Sequence, residues 1–225
     1  MAEVLIADDD RPVREALRAV LSSEGLSVRT ARDGADAVAK FRERRPDLVL
    51  MDVMMPRMNG FLACSEMRAA DPGVPVVFLT AADSEANEVR ALGLGADDYI
   101  SKTASEAVLL ARVRRALARA EGTSQGASAR RVLLGSVTVD LEMRTVEDGA
   151  RKDNLTASEA DLLSLLASRR GEVFSVDAIF SRLRGEGYVG DPAAVRMHVM
   201  NLRRKLGKAG GMVANVPNSG YYLVK

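Results

Sequence analysis

Leu48-Val49-Leu50-Met51-Asp52, followed by Val53-Met54-Met55-Pro56 and shortly after by Gly60, is the stretch on which the fold turns. Four apolar residues in succession, closed by a charge, read as a strand buried on both faces of a parallel sheet. A carboxylate at the carboxyl end of such a strand lies where open α/β sheets bind their ligands. A second strand, Val4-Leu5-Ile6-Ala7, ends in the same way on Asp8-Asp9-Asp10. Carboxylates converging from two strand ends repel one another unless a hard cation lies between them. The pairing points to an aspartate used together with Mg²⁺.

Working outward, strand patterns recur at Ser27–Thr30, Val76–Leu79 and Tyr99–Ile100. Amphipathic helical patterns fall between or after them at Pro12–Ser22, Gly34–Glu43, Gly60–Ala70, Glu85–Leu92 and Ser105–Ala120. Five βα units of this size predict a doubly wound, five-stranded parallel sheet. Residues 1–121 form this first domain. Residues 122–130, Gly-Thr-Ser-Gln-Gly-Ala-Ser-Ala-Arg, are small and polar for most of their length and read as a flexible linker. In residues 131–225 the pattern changes to short β segments at Arg131–Leu134, Val137–Leu141 and Thr145–Glu147. A helix opened by the capping-box spacing Thr156-Ala-Ser-Glu159 follows. Further helices read at Val176–Leu183 and Pro192–Leu206, the latter with Asp191 as N-cap. The chain closes with a hairpin, Met212–Val216 and Tyr221–Val224, turning at Pro217-Asn-Ser-Gly220. Three helices, small sheets and a terminal hairpin make an α+β winged helix-turn-helix.

The chain has 225 residues, 47% of them hydrophobic and 28% charged, which suits globular domains rather than disorder. The net charge of +1 hides an asymmetry. Residues 1–121 carry 17 Lys/Arg against 20 Asp/Glu, and the remainder 15 against 11. An acidic half fits a cation site and a basic half a polyanion. The single cysteine, Cys64, excludes an internal disulfide and thiolate cages, in keeping with a reducing cytosol. No stretch has the apolar length of a membrane span, and Met1-Ala2-Glu3 leads into a strand without a basic leader region. The expectation is a soluble, cytoplasmic protein with no membrane partner.

A carboxylate can take up a phosphoryl group only if cations neutralise the phosphate oxygens. Asp52 is the candidate acceptor, and Asp9 with Asp8 the candidate Mg²⁺ ligands. Thr80 can hydrogen-bond a phosphate oxygen, and Lys102 can bind it as a point charge. Plainer readings exist for some of these residues, though they leave Asp52 and Lys102 unexplained. Asp8–Asp10 would make a solvated turn and N-cap for the Pro12 helix, Thr80 an ordinary strand end, and Tyr99 plain packing.

The combination Ile6-Ala-Asp-Asp-Asp10, Asp47-Leu-Val-Leu-Met-Asp52, Met55-Pro56 with Gly60, Leu79-Thr-Ala81, Gly95-Ala-Asp-Asp-Tyr99 and Lys102 resembles the bacterial two-component response regulators. Leu155-Thr-Ala-Ser-Glu159, Leu202-Arg-Arg-Lys-Leu206 and Gly220-Tyr-Tyr222 resemble the output domain of their OmpR/PhoB branch. The resemblance implies a flavodoxin-like receiver phosphorylated on Asp52 by a sensor histidine kinase. It implies Mg²⁺ held by Asp9, Asp52 and the Met54 carbonyl, and a switch in which Thr80 and Tyr99 reorient. It further implies a phosphorylation-dependent homodimer through Arg90, Asp97, Asp98 and Arg112, binding to tandem half-sites of double-stranded DNA, and contact with RNA polymerase. The function expected is transcription regulation rather than enzymatic turnover.

In the Pro192–Leu206 helix, Val195, Val199, Leu202 and Leu206 share one face and should pack inward. Met197, Met200, Asn201 and Arg204 are expected on the opposite face, flanked by Arg196, Arg203 and Lys205. Such a helix suits a major groove, with the basic residues on phosphates and Asn201 and Met197 near base edges. His198 either bonds a DNA phosphate or serves as a structural histidine, and Asn218 in the wing can reach the backbone. Taken alone, the helix would pass for an ordinary solvated one.

Three positions depart from the family. Lys102 is followed by Thr103-Ala104 instead of proline and an aromatic. A cis bond to a non-proline residue costs about 2.5–4 kcal/mol, so Lys102–Thr103 is expected trans and Lys102 less firmly seated. The wing, Val216-Pro-Asn-Ser-Gly220, carries no charge, and Asn201 replaces a common basic residue. Both should weaken DNA binding and flatten its salt dependence. A regulator acting constitutively or mainly through protein contacts is the alternative. A free-standing Mg²⁺-dependent phosphotransferase is a third class, but it needs a general acid or base that Met54, two residues past Asp52, cannot supply.

Overall fold

The structure, a computed structural model, describes residues 1–71, 73–80, 96–120, 131–184 and 192–225. It divides into two compact units, Met1–Thr123 and Ser124–Lys225.

In the first unit β1 (Glu3–Ala7), β2 (Ser27–Ala31), β3 (Leu48–Asp52), β4 (Val76–Thr80) and β5 (Asp98–Ser101) form one parallel sheet in the order β2-β1-β3-β4-β5. Helices α1 (Arg11–Ser23), α2 (Gly34–Glu43), α3 (Gly60–Ala70) and α4 (Glu106–Ala120) connect or follow the strands. The helix expected at Glu85–Leu92 lies outside the described residues. The order turns back at β1, whose neighbours are β2 and β3. The carboxyl ends of β1 and β3 therefore lie side by side, with Ala7 registered to Met51. The β3 residues are buried throughout, as an apolar run covered on both faces requires. Val4, Ile6, Leu48, Leu50, Val77 and Leu79 pack with Leu109 and Val113 of α4. The helix starts are fixed locally: the side chains of Asp33 and Asn59 accept from the backbone N–H groups of Asp36 and Leu62, as N-caps do. Asp10, by contrast, makes no side-chain cap at the start of α1.

The second unit opens with an antiparallel meander of β6 (Arg131–Leu134), β7 (Val137–Asp140), β8 (Thr145–Asp148) and β9 (Arg151–Asn154). Strand β9 was not expected from the sequence, since Arg-Lys-Asp-Asn offers no apolar residue. It forms because Gly149, at φ +61°, makes a two-residue turn that registers Arg151 on Asp148. Helices α5 (Ala157–Ser168), α6 (Val176–Arg184) and α7 (Pro192–Leu206) follow, then a 3₁₀ turn (Gly207–Met212) and the hairpin of β10 (Val213–Val216) and β11 (Gly220–Leu223). The α5 start is the expected capping box, Thr156 and Glu159 each capping the other's backbone N–H. In the hairpin turn Pro217 is followed by Asn218 at φ +58°, and Ser219 N–H donates to Val216 O at 3.1 Å. Proline then a positive-φ asparagine is the type II pattern. Asp191 and residues 122–130 lie outside the described residues.

Candidate functional site

The strand ends of the first unit bring Asp8, Asp9 and Asp52 together. Each offers a carboxylate oxygen, and these oxygens lie within 4.8 Å of one another. Asp8 and Asp52 are buried and Asp9 is exposed. Lys102, just past β5, closes the cluster, with Nζ 2.6 Å from Asp8 Oδ2 and 3.2 Å from Asp52 Oδ2. The Lys102–Thr103 peptide is trans, as expected without proline. Lys102 is nevertheless seated on both carboxylates, contrary to the looser placement expected. The turn is held another way: the Ser101 and Thr103 hydroxyls lie 2.7 Å apart, and Ala104 N–H donates to Ser101 O at 3.0 Å.

Two further contributions shape this geometry, of which Arg14 was not singled out from sequence and Gly60 was noted there only as part of a motif. Arg14 of α1 donates to Asp8 O at 2.6 Å, fixing the turn after β1. Gly60 lets α3 start directly against β3, for a Cβ there would sit 2.0 Å from Asp52 O. Its N–H donates to Val53 O at 3.0 Å. The wish for a short side chain is visible only once the two backbones meet.

The charges are unbalanced. Burial, the largest cause, raises the Asp52 pKa above its ordinary 3.8; repulsion from Asp8 adds to this, while Lys102 and the Met54 N–H oppose it. Burial also works against the Lys102 ammonium, but its bonds to Asp8 and attraction to both carboxylates hold its pKa above the ordinary lysine value. One ammonium faces three carboxylates of all-oxygen character, a donor set that fits Mg²⁺. Met54 is 74% exposed.

Of the other expected residues, Tyr99 is buried on β5, and its N–H donates to Asp98 Oδ1 at 2.6 Å. Asp97 is buried and pairs with Arg68 of α3 at 2.6 Å. Asp98 takes both oxygens to Arg112 of α4, at 2.8 and 2.9 Å. These three expected dimer-face residues thus bond within one receiver. Arg90 and the Thr80 side chain lie outside the described residues.

In the second unit, Val195, Val199, Leu202 and Leu206 are buried as expected. One neighbour is corrected, and another follows the second of its two expected readings. Asn201 is only 1% exposed, so it does not stand on the outer face. Successive residues turn about 100° around a helix, and Asn201 follows Met200 round to the packed side. His198 is 3% exposed, which places it in the packed interior rather than on the surface. Arg203 Nε donates to Val213 O at 2.8 Å, tying α7 to the hairpin. Lys205 reaches the buried Glu159 at 2.6 Å. Arg196, Met200 and Arg204 remain exposed, Met197 half-buried, and Asn218 exposed at the hairpin tip. Arg203, Arg204, Gly207 and Asn215 line an open cleft of about 580 Å³ between α7 and β10.

A flavodoxin-like sheet with an acidic carboxyl edge, followed by a three-helix unit with a terminal hairpin, is the architecture of a signalling receiver joined to a DNA-binding domain. The comparisons agree. Residues 4–114 match the response regulator receiver domain, and residues 151–223 match the C-terminal domain of transcriptional regulatory proteins. Response regulator MprA of Mycobacterium sp. (strain KMS) is 36% identical over 222 residues, covering 98% of this chain and 96% of the relative. DNA-binding response regulator MtrA of Mycolicibacterium smegmatis is 38% identical over 205 residues, 91% of this chain and 88% of that one. The structure of a RitR mutant covers 99% of both chains with a TM-score of 0.78 at 21% identity, a likeness of fold. The chain belongs to the OmpR/PhoB-type response regulators.

Proposed function

We propose that the protein regulates transcription under the control of a phosphoryl group on Asp52, received from a sensor histidine kinase. An Asp52 oxygen attacks phosphorus, the P–N bond of the kinase phosphohistidine breaks, and its electron pair stays on the imidazole. Lys102 binds an incoming phosphoryl oxygen, a role supported by its position 3.2 Å from Asp52. Asp8, Asp9, Asp52 and the Met54 carbonyl are the residues that would hold Mg²⁺, which supplies the charge neutralisation that one lysine cannot. Thr80 and Tyr99 are the switch residues. The modified receiver pairs two copies, whose output domains engage tandem half-sites in the cytoplasm and work with RNA polymerase. Among the described residues, no helix is long and apolar enough to cross a membrane.

The observation carrying this reading is the Asp8–Asp9–Asp52 cluster with Lys102 bonded to two of its members. Intact-protein mass spectrometry after acetyl phosphate and Mg²⁺ tests it. Wild type should gain one phosphoryl group and Asp52→Ala none; labelling that persists in the variant refutes the assignment. The internal pairing of Asp97 and Asp98 favours a second reading, a regulator that acts without a phosphorylation-dependent dimer. Light scattering with Mg²⁺ and beryllofluoride separates the two: a shift to dimer supports the switch, and binding without a shift supports the second reading.

A further inference from the structure

Around α7 the buried residues Ala194, Val195, His198, Val199, Asn201 and Leu202 cover a broad arc. At about 100° per residue, Met200 falls opposite the middle of that arc, with Arg196 and Arg204 about 40° to either side of it. Met200 is 51% exposed and both arginines are exposed. Other polar side chains of the helix are turned to other uses, Asn201 buried, Arg203 on Val213 O and Lys205 on Glu159. A single exposed methionine is ordinary on a protein surface. This one is the centre of the outer face, set between two cations spaced one helical turn away on each side. The centre therefore has no hydrogen-bonding group to offer a base edge.

We infer that Met200 is the specificity-determining residue of the DNA-binding face and reads the 5-methyl group of thymine in the major groove. This deepens the DNA-binding reading and rests on it. The pattern of donors and acceptors in the major groove includes one apolar group, that methyl. An unbranched thioether between two arginines is suited to meet it: the arginines hold phosphates on either side, and the flexible side chain closes on the methyl. Burying one methyl-sized group contributes about 0.8 kcal/mol, or about fourfold in affinity per half-site.

The test uses the full chain with Mg²⁺ and beryllofluoride, and duplexes selected by it from a random-sequence pool. Each thymine of the selected half-site is then replaced by deoxyuridine, which removes only the methyl. Wild type should lose about fourfold at one thymine per half-site, and Met200→Ala should bind the thymine and deoxyuridine duplexes equally. Because Met200 is exposed, the variant should keep the wild-type circular dichroism and melting. A wild-type affinity indifferent to every deoxyuridine, an equal methyl effect in Met200→Ala, or a pool bound without enrichment overturns the inference while leaving DNA binding intact. A pool not bound at all, even at low salt, overturns the DNA-binding reading and the inference with it.

Discussion

Replacing Lys205 by methionine should damage the fold of the second unit and leave its grip on DNA unchanged. Lys205 stands among basic residues of a helix expected to face a polyanion, yet its ammonium lies 2.6 Å from Glu159 Oε2. The Glu159 carboxylate is only 1% exposed. It also accepts from Thr156 N–H at 2.8 Å, so it serves the α5 cap and the α5–α7 contact at once. Removing one partner of a buried pair typically costs about 3–5 kcal/mol, because the remaining charge stays desolvated. Here the cap bond survives and Lys205 is partly exposed, so about 3 kcal/mol is expected, roughly a hundredfold in the folding equilibrium. The double variant Glu159→Gln/Lys205→Met keeps an acceptor for Thr156 N–H without a buried charge. It should recover about 2 kcal/mol of that loss. Urea unfolding by far-UV circular dichroism gives the energies, and hydrogen exchange over Ala157–Ser168 and Pro192–Leu206 assigns them to this unit. The slope of log affinity against log salt gives the DNA side, since each phosphate contact contributes about 0.9. A Lys205→Met protein within about 0.5 kcal/mol of wild type, or one whose slope falls by about 0.9 per protomer, would refute the buried-pair assignment.

Gly60→Ala forces a methyl onto Asp52 O; overpacking of this kind costs about 1–3 kcal/mol, and a lowered melting temperature with slower acetyl phosphate labelling is expected. Cys64 is fully buried, and burial pushes its thiol up to about 11; Ellman's reagent should react slowly with the native protein and rapidly in denaturant, and fast native labelling would contradict the burial. The raised Asp52 pKa sets a sign for pH dependence. Between the ordinary 3.8 and the raised value the folded state holds more protons than the unfolded one, so this carboxylate costs stability as pH rises through that window. Asp52→Asn should accordingly melt higher than wild type at neutral pH, with the difference shrinking on acidification and on addition of Mg²⁺. An equal melting temperature at all pH values would count against it.

Much of the receiver could be read from sequence because the signals were strong. An apolar run ending in a carboxylate has few structural meanings, and Leu48–Asp52 and Val4–Ala7 both carried one. Strand β9 escaped because Arg151–Asn154 has no hydrophobic period; its only trace was the Asp148-Gly149 turn. The outer face of α7 was half legible. The Val195, Val199, Leu202 and Leu206 stripe located the core, but α7 packs against both α5 and α6. Its buried arc is therefore wider than one apolar stripe and takes in His198 and Asn201. Nor could spacing reveal that Lys205 and Arg203 have partners inside the unit, since both lie across long sequence separations or in another element. The seating of Lys102 was misjudged from the missing proline, because spacing alone does not show that the Ser101 and Thr103 hydroxyls meet to shape the turn.

Gly220 has backbone φ +144°, and a Cβ there would lie 1.9 Å from Phe174 O. The adjoining Tyr221 exchanges two backbone bonds with Phe174, at 3.0 and 2.9 Å. A hairpin of two strands is marginal by itself, and this one is pinned by a single antiparallel bridge to the chain ahead of α6. Its arms are thereby moored, while Pro217, Asn218 and Ser219 project beyond the last bond of the ladder. Natural variation, or an engineer, can charge or extend the tip there without retuning the frame that carries it, provided the turn keeps a residue that tolerates the positive φ of position 218.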